Sequence, residues 1–245
     1  MAQVINVIKA NGEIEPFSPQ KVKVSLMRSG ASSEMADKIV QKILPSLYQN
    51  IPSFQIYTTV MKILKKEKNE LAERYNLKRA IMELGPSGYP FEKFVAAILR
   101  ESGYKTETNK IVIGKCISHE IDIIVEKNGE RNMVECKFHN QNGGRCDVKE
   151  ALYTYARFLD IQSKGFKKAW LVTNTKVTQD VKIYALCVGM EIISWDYPEG
   201  KSLRELIDKT GLYPITASVK LTPKQKQEMI DKGIVFCKDF PHLIK

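Results

Sequence analysis

Hydrophobic and polar positions change their spacing several times along the chain, and each spacing predicts a different element. Residues 4–17 place apolar arms on either side of Asn11-Gly12, the strongest short signal for a β-hairpin turn. Four stretches of helical periodicity follow, at about 19–29, 33–47, 53–69 and 71–84. We expect Ser18, Ser33 and Ser53 to cap the first three of these helices, because a serine hydroxyl accepts a hydrogen bond from the first helical turn.

A second pattern begins after Gly85-Pro86-Ser87-Gly88, which interrupts the helical periodicity. It opens with an amphipathic helix whose apolar residues are Phe91, Phe94, Val95, Ile98 and Leu99. Three strands are predicted next, near 105–113, 117–126 and 131–138. A helix, a strand, a helix and a strand follow at about 147–162, 168–174, 178–189 and 191–195. This order predicts an α/β sandwich around a mixed sheet.

The expected fold class is therefore α/β, or α+β for the chain as a whole, in three parts. Residues 1–86 form a β-hairpin with a helical bundle, 87–202 form the α/β sandwich with a mixed central sheet, and 203–245 form a short helical segment. In the last part, Thr222, Pro223 and Gly233 predict where a helix begins and ends. We interpret this helix as amphipathic and packed on the preceding domain; the alternative is half of a helix-hairpin-helix DNA-binding unit.

Composition narrows the class of partner. The 245 residues carry 38 lysines and arginines against 28 aspartates and glutamates, a net charge of +10 that favours nucleic acid, although basic surfaces also occur on proteins that bind none. No apolar run approaches the ~20 residues of a membrane span, and there is no signal-peptide pattern, so we expect a cytoplasmic protein that binds no membrane. The five cysteines never form a Cys-x-x-Cys pair, which argues against a zinc ribbon or a disulfide framework.

Three charged residues interrupt two otherwise apolar strands. Asp122 lies within 121–125, and Glu135 and Lys137 flank Cys136 within 133–138. Charges in such runs are costly unless they are paired or bind an ion. A buried ion-pair cluster is one interpretation. The other is a set of carboxylates that converge on a divalent cation beside an ammonium group, the arrangement that metal-dependent phosphodiester hydrolysis needs. We prefer the second interpretation because three charged groups on one sheet face are costly without a bound ion.

The turn between these strands sets their register. If Asn128-Gly129 is a two-residue turn, Asp122 stands directly opposite Glu135. Lys137 lies two positions further and shares the face of Glu135, whereas Cys136 points to the other face and leaves its carbonyl available to a metal. Oxygen ligands of this kind favour Mg²⁺, with Mn²⁺ possible.

The pattern IDIIV followed by MVECK resembles the PD-(D/E)xK nucleases, and specifically their Mrr-like restriction endonuclease branch. GYPFEKFVAAILRESGYKTE resembles the opening helix of that family, and the segment from KAWLVTN to EIISWD resembles its closing strand, helix and strand. The resemblance covers about residues 88–200. It implies that Asp122, Glu135, the Cys136 carbonyl and Glu92 hold Mg²⁺, and that Lys137 orients the attacking water.

The segment before the aspartate, GKCISHEID, lacks the glycine-rich run that is frequent in this family, which leaves two roles open for His119. One role is contact with DNA and the other is a structural hydrogen bond. We prefer the structural role, because lone histidines are usually structural. The loop after Lys137 should rim the site. The further candidates for DNA contact are His139, Asn140, Gln141 and Arg145.

The N-terminal stretch VIKANGEIEPFSPQKVKVSL resembles the start of an ATP-cone, the regulatory nucleotide-binding module of ribonucleotide reductases and their repressors. The residues that match are Val7, Lys9, Gly12, Glu15, Phe17, Ser18, Lys21 and Val22. The resemblance implies that Lys9 and Lys21 meet the phosphates of ATP or dATP and that Val7 and Phe17 line the base pocket. Ala10 and Asn11 replace an Arg-Asp pair, so one charge-assisted phosphate contact, on the order of 1.5–3 kcal/mol, is missing.

Together these features predict a Mg²⁺-dependent DNA endonuclease, active in restriction or defence against foreign DNA, with ATP or dATP as an allosteric effector. A homodimer or a higher homo-oligomer is expected, because cutting both strands needs two active sites. Two alternatives remain: a non-catalytic, nucleotide-sensing DNA-binding regulator, and a structure-specific nuclease acting in repair or on junctions.

Overall fold

The computed structural model describes residues 4–141 and 143–239. The chain divides into two compact units, one of Met1–Leu77 with Ala217–Thr222 and the other of Lys78–Thr216 with Pro223–Lys245. Across the residues described, no helix combines the length and the apolar character needed to span a membrane.

The first unit contains a small sheet and several helices. Its elements are β1 (Asn6–Ile8), β2 (Ile14–Pro16), α1 (Pro19–Arg28), α2 (Ser33–Ile43), β3 (Ile51–Pro52), α3 (Ser53–Glu67) and α4 (Asn69–Tyr75). β1 pairs antiparallel with β2, as the hairpin prediction requires, and parallel with β3, which was not predicted. The apolar helix faces enclose one core, in which Leu26, Ile43, Val60 and Leu64 are fully buried.

One of the three predicted serine caps in this unit is confirmed. The Ser18 hydroxyl accepts the Lys21 N–H at 3.3 Å at the start of α1. The other two predictions are wrong by one residue. Ser32, not Ser33, caps α2, because its backbone is still extended while Ser33 is already helical. The cap position of α3 is Pro52, which belongs to β3, and Ser53 is the first residue of the helix.

Two predicted helices are shorter than expected. The helix expected at 33–47 ends at Ile43 and continues only as a 3-10 turn at Leu44–Ser46, where Pro45 begins the change in winding. The helix expected at 71–84 consists of α4 and a separate α5 (Leu77–Met82). Asn76 stands between them, and its side-chain oxygen accepts a hydrogen bond from the Tyr57 hydroxyl.

The second unit is a sandwich around a five-stranded mixed sheet. Its elements after α5 are α6 (Tyr89–Glu101), β4 (Lys105–Ile113), β5 (Ser118–Lys127), β6 (Glu130–Lys137), β7 (Arg145–Cys146), α7 (Val148–Ile161), β8 (Phe166–Thr173), β9 (Lys176–Val177), α8 (Gln179–Val188), β10 (Glu191–Ile193), α9 (Leu203–Thr210) and α10 (Pro223–Asp231). The strand order is β10-β8-β6-β5-β4, with β4, β5 and β6 antiparallel and β6, β8 and β10 parallel. The predicted α/β sandwich is confirmed.

The helices of this unit cover the sheet and bury its inner strands. The five apolar positions predicted for the opening helix are all buried in α6, which packs on β4, β5 and β6. A second cluster joins the sheet to α7 and α8. Each fully buried large apolar side chain contributes about 1.5–3 kcal/mol, so both layers hold β5 and β6 firmly in place. β7 and β9 form a separate two-stranded parallel sheet that was not predicted.

Candidate active site and candidate nucleotide pocket

The β5–β6 hairpin places Asp122 beside Glu135. Asn128 and Gly129 both have positive φ, at 53° and 78°, as a two-residue hairpin turn requires. The paired residues run from Lys127 opposite Glu130 to Ile123 opposite Val134, so continuing by one position sets Asp122 against Glu135. The Cys136 N–H donates to Asp122 Oδ2 at 2.8 Å, which fixes the aspartate at the edge of the pairing.

Glu92, in the first turn of α6, joins these two carboxylates. Its Oε2 accepts a hydrogen bond from Asn109 Nδ2 at 3.2 Å. Burial and then the negative charge of Asp122 raise the pKa of Glu92, and burial also raises the pKa of Asp122. Burial, followed by the charge of Asp122, raises the pKa of Glu135 from 4.5 to about 7. The three carboxyl groups therefore lie close enough to repel one another, and a cation would relieve that repulsion.

Lys137 lies at a cleft that borders this cluster. The cleft has a volume of about 210 Å³ and is lined by Glu135, Lys137, Lys149, Glu150, Tyr153, Thr154 and Leu171. Lys137 is exposed, and its positive charge partly opposes the rise in the pKa of Glu135 that burial and Asp122 cause. Phe138 follows β6 directly, and its ring centre lies 5.5 Å from that of Phe91 in α6. Because side chains alternate along a strand, Cys136 shares this α6 side of the sheet, opposite to Glu135 and Lys137.

Sequence reasoning missed Arg157, which lies on α7 and reaches into the cluster. Its guanidinium donates to the Glu135 carboxylate and to the Glu120 carbonyl. The guanidinium carbon stands 5.4 Å from the centre of the Tyr153 ring. The available signal was its spacing from Glu150 and Tyr153, since residues three, four and seven apart share one face of a helix.

The chemistry of the acidic cluster fits a hard divalent cation. Its side-chain donors, Glu92, Asp122 and Glu135, are carboxylate oxygens, which Mg²⁺ and Mn²⁺ prefer. In the part of the chain that the structure describes, however, no three His, Cys, Asp or Glu side chains already converge as a metal-binding group. Two of these carboxylates have other partners, since Asn109 holds Glu92 and Arg157 holds Glu135. A metal ion held by all three carboxylates would require these side chains to exchange partners.

The candidate DNA-contact residues fall into two groups. His119 is buried, and its Nε2 lies 2.8 Å from Asp160 Oδ2, which supports the structural role for this side chain. His139, Asn140 and Gln141 follow β6 directly, where the His139 N–H donates to Asn174 and the Asn174 amide donates back to the His139 carbonyl.

Arg145 belongs to the other side of the same loop. It forms β7 with Cys146 and pairs with Lys176 of β9. Arg145 of β7, Lys149 in the first turn of α7 and Lys176 of β9 are all exposed, and their positive charge is the sign that a phosphate backbone requires.

A second candidate site lies in the first unit. A pocket of about 190 Å³ is lined by Val7, Glu15, Pro16, Phe17, Ser18, Lys21, Val22, Ser25, Ser53, Ile56, Tyr57 and Tyr75. The structure thus brings together six of the eight residues that match the ATP-cone pattern, all except Lys9 and Gly12. Gly12 instead forms the hairpin turn with φ 83°, and its N–H donates to the Lys9 carbonyl.

Lys9 and Lys21 converge at the edge of this pocket. Their ammonium groups lie 2.7 and 2.9 Å from the same oxygen, Glu15 Oε2, and hydrogen bonds from both lysines lower the pKa of Glu15. Sequence reasoning did not identify the aromatic wall of the pocket, where the Tyr57 and Tyr75 rings stack 5.8 Å apart. The pocket therefore combines an apolar, aromatic side with two cations at its rim.

Comparison with known proteins gives two matches to family models, an ATP cone domain over residues 5–83 and a restriction endonuclease, Mrr_cat, over residues 85–207. An uncharacterized protein of Archaeoglobus fulgidus is 45% identical over 148 residues, 59% of this chain and 82% of that protein. A crystal structure of a protein of unknown function is 44% identical with a TM-score of 0.56, over 62% of this chain and 82% of the other. The MspJI restriction endonuclease with a 27-mer oligonucleotide is 11% identical with a TM-score of 0.41, over 67% of this chain and 36% of the other.

Proposed function

Because the chain belongs to the Mrr_cat restriction endonuclease family and carries an ATP cone ahead of the catalytic domain, we propose that it is a metal-dependent DNA endonuclease controlled by an adenine nucleotide. Restriction of foreign DNA is the corresponding role. The observation that supports the chemistry best is the cluster of Glu92, Asp122 and Glu135, three mutually repelling carboxyl groups next to Lys137. A protein that only binds DNA has no use for such a cluster.

Each residue of the cluster has a defined part in this proposal. Asp122, Glu135 and the Cys136 carbonyl would hold Mg²⁺ or Mn²⁺, with Glu92 binding directly or through water. The ion, when bound, supplies positive charge that stabilises the transition state and activates water. Lys137 orients that water and balances charge on the phosphate, while Lys149 of the same cleft faces the DNA backbone.

Cleavage of plasmid DNA tests the site. Asp122→Ala should reduce cleavage to background, and Lys137→Ala should reduce it by on the order of 100-fold or more, as loss of one transition-state contact does. DNA binding should survive in the lysine variant, because many phosphate contacts share the affinity. Lys168→Ala, which removes an exposed lysine paired with Glu191 at 2.7 Å, is the control for lost charge. Wild-type cleavage by either purified site variant would overturn the assignment.

The choice of substrate and cation separates the rival functions. Unmodified plasmid, modified plasmid and branched DNA should be compared with Mg²⁺, Mn²⁺, Ca²⁺ or chelator. Restriction predicts cleavage of one of the plasmids with Mg²⁺ or Mn²⁺, and occupancy without turnover with Ca²⁺. Cleavage confined to branched DNA would instead identify a junction nuclease. DNA binding without cleavage under every condition would favour a non-catalytic regulator.

We also propose that the pocket of the first unit binds ATP or dATP as an effector. Two lysines that converge on one carboxylate oxygen are placed to converge equally on a phosphate, with Phe17 and Tyr57 available to the base. Calorimetry should show binding, and Lys21→Ala should weaken it by about 10-fold, the value of one charge-assisted contact. Lys38→Ala, an exposed α2 lysine paired with Glu34, is the control. Equal affinity of all three proteins would exclude this pocket.

Self-association is the third part of the proposal. α7 and α8 pack together, with the Tyr155 and Tyr184 rings 6.0 Å apart, and they leave large apolar side chains exposed. The exposed fractions are 52% for Leu159, 58% for Ile183 and 85% for Leu186. Exposed apolar patches often mark protein interfaces, and a symmetric dimer supplies the two active sites that double-strand cleavage needs.

Light scattering of the combined variant Leu159→Glu, Leu186→Glu tests that interface. We expect a monomer that nicks one strand, whereas Ile113→Glu, a substitution at an exposed residue of β4, should leave assembly unchanged. Repeating the measurement with ATP and with ADP shows whether the effector changes assembly. It can do so only if the monomer and the dimer bind the nucleotide with different affinity. A wild-type protein that cuts both strands as a monomer would contradict the dimer.

A further inference from the structure

Arg157 occupies a position that the proposed chemistry leaves unexplained. Its guanidinium donates both to the Glu135 carboxylate and to the Glu120 carbonyl, so it bridges β6 and β5 on the cleft side of the hairpin. The Arg157 and Glu135 side chains are only 11% and 15% exposed. This pair is therefore shielded from solvent, unlike the exposed lysine pairs elsewhere in the chain.

The surroundings explain why such a pair forms. Glu135 is buried next to Asp122 and Glu92, and both of these carboxylates disfavour its charge. A buried anion needs a counter-charge and hydrogen-bond donors, and a guanidinium supplies both. Tyr153 lies against the guanidinium and limits its alternatives.

The same contact conflicts with a bound metal ion. A guanidinium has only N–H donors and cannot coordinate a cation, and two positive charges on one carboxylate repel each other. The oxygen of Glu135 that Arg157 holds is therefore withheld from any divalent cation. Consistent with this, no converged metal-binding group is present among residues 4–141 and 143–239.

We propose that Arg157 is an internal cation that competes with the divalent metal ion for Glu135. It stabilises the site while no metal is bound, and it must release the carboxylate before the site is complete. Arg157 is thus a positioning residue that raises the metal concentration at which the enzyme becomes active. This inference rests on the proposed metal site, and it adds a residue that the sequence motif does not contain.

Calcium binding to the full-length protein tests this without relying on cleavage. Calorimetry should show that Arg157→Met binds Ca²⁺ about 10-fold more tightly than wild type, because a competing charged hydrogen bond has been removed. Arg157→Lys should bind Ca²⁺ with an affinity between those of wild type and Arg157→Met. Arg100→Met, which removes a guanidinium bonded to Thr106 at 2.8 Å, is the matched control and should bind as wild type does. Tighter binding is informative because structural damage alone would weaken it.

Thermal melting supplies the second readout. Without metal, Arg157→Met should melt below wild type, and saturating Ca²⁺ should narrow or close that gap. Equal Ca²⁺ affinity in wild type and Arg157→Met, or weaker binding in the variant, would overturn the competition. Should the methionine variant fail to fold with and without Ca²⁺, the lysine variant decides the question by the same criterion. Absence of Ca²⁺ binding in every protein, wild type included, would refute the metal site itself and this inference with it.

Discussion

Glu135 should make the metal-free protein less stable as the pH rises towards neutrality. Burial and the charge of Asp122 raise its pKa from 4.5 to about 7. Between those two values the folded protein keeps the proton and the unfolded chain has lost it. Stability therefore falls as the pH rises through this window and levels off above about pH 7. Arg157 favours the charged form of Glu135, but burial and the charge of Asp122 outweigh it, so the direction is opposite to that of a carboxylate whose ion pair dominates.

The size of this effect follows from the two pKa values. The difference between 4.5 and about 7, at ~1.4 kcal/mol for each pKa unit, means that the free energy of unfolding falls by at most about 3.5 kcal/mol across the whole window, and by less between pH 5 and pH 8. Solvent screening reduces this only slightly, since the Glu135 side chain is 15% exposed. For a unit of this size, 1 kcal/mol corresponds to roughly 2–4 °C, so the melting temperature should fall by roughly 5–10 °C between pH 5 and pH 8.

Tryptophan fluorescence in the presence of chelator measures this effect selectively. Both tryptophans of the chain, Trp170 and Trp195, lie in the second unit and report on its melting. Glu135→Gln should flatten the profile between pH 5 and 7, whereas Glu191→Gln, at an exposed carboxylate paired with Lys168, should retain it. An unchanged slope in Glu135→Gln, or a wild-type stability that rises across this window, would refute the reasoning.

Two further predictions concern the turn between β4 and β5. Gly114→Ala should be strongly destabilising, because its Cβ would lie 2.1 Å from Asp160 Oδ2 and 2.6 Å from the Ile117 carbonyl oxygen; Gly144→Ala, whose nearest neighbour is at 3.6 Å, should melt close to wild type. The hydrogen bond from His119, followed by those from backbone N–H groups, lowers the pKa of Asp160. The ionised Asp160 therefore stabilises the folded protein above about pH 4, and this contribution is lost as the pH falls further. Asp160→Asn should have a lower free energy of unfolding than wild type at pH 7 and should lose less of it on acidification. Urea unfolding measures both differences. A variant with the stability and acid response of wild type would contradict this.

The features that could be predicted from the sequence depend on contacts between residues close together in the chain, and those that could not depend on contacts between distant residues. The facing of Asp122 and Glu135 was predictable because a two-residue turn at Asn128-Gly129 determines the whole register of β5 and β6. The break in the helix expected at 71–84 was not predictable, since Asn76 is engaged by Tyr57, nineteen residues earlier in the chain. Pairing of Ile51–Pro52 with β1 is equally non-local, and Pro52 of that strand takes the cap position that was predicted for Ser53.

Arg157 shows the same limit within the candidate site itself. An arginine on an amphipathic helix is ordinarily a solvated residue, and its spacing from Glu150 and Tyr153 indicates a shared helix face but not a buried partner on another element. Its role follows only from the packing of α7 against β6, which sets a guanidinium against a carboxylate that we propose as a metal ligand. In our proposal the motif supplies the ligands of the metal-bound state, whereas the metal-free protein also needs a counter-charge for Glu135 once that carboxyl group ionises. A residue outside the motif meets that second requirement, so we expect metal affinity to depend on α7 as well as on the hairpin.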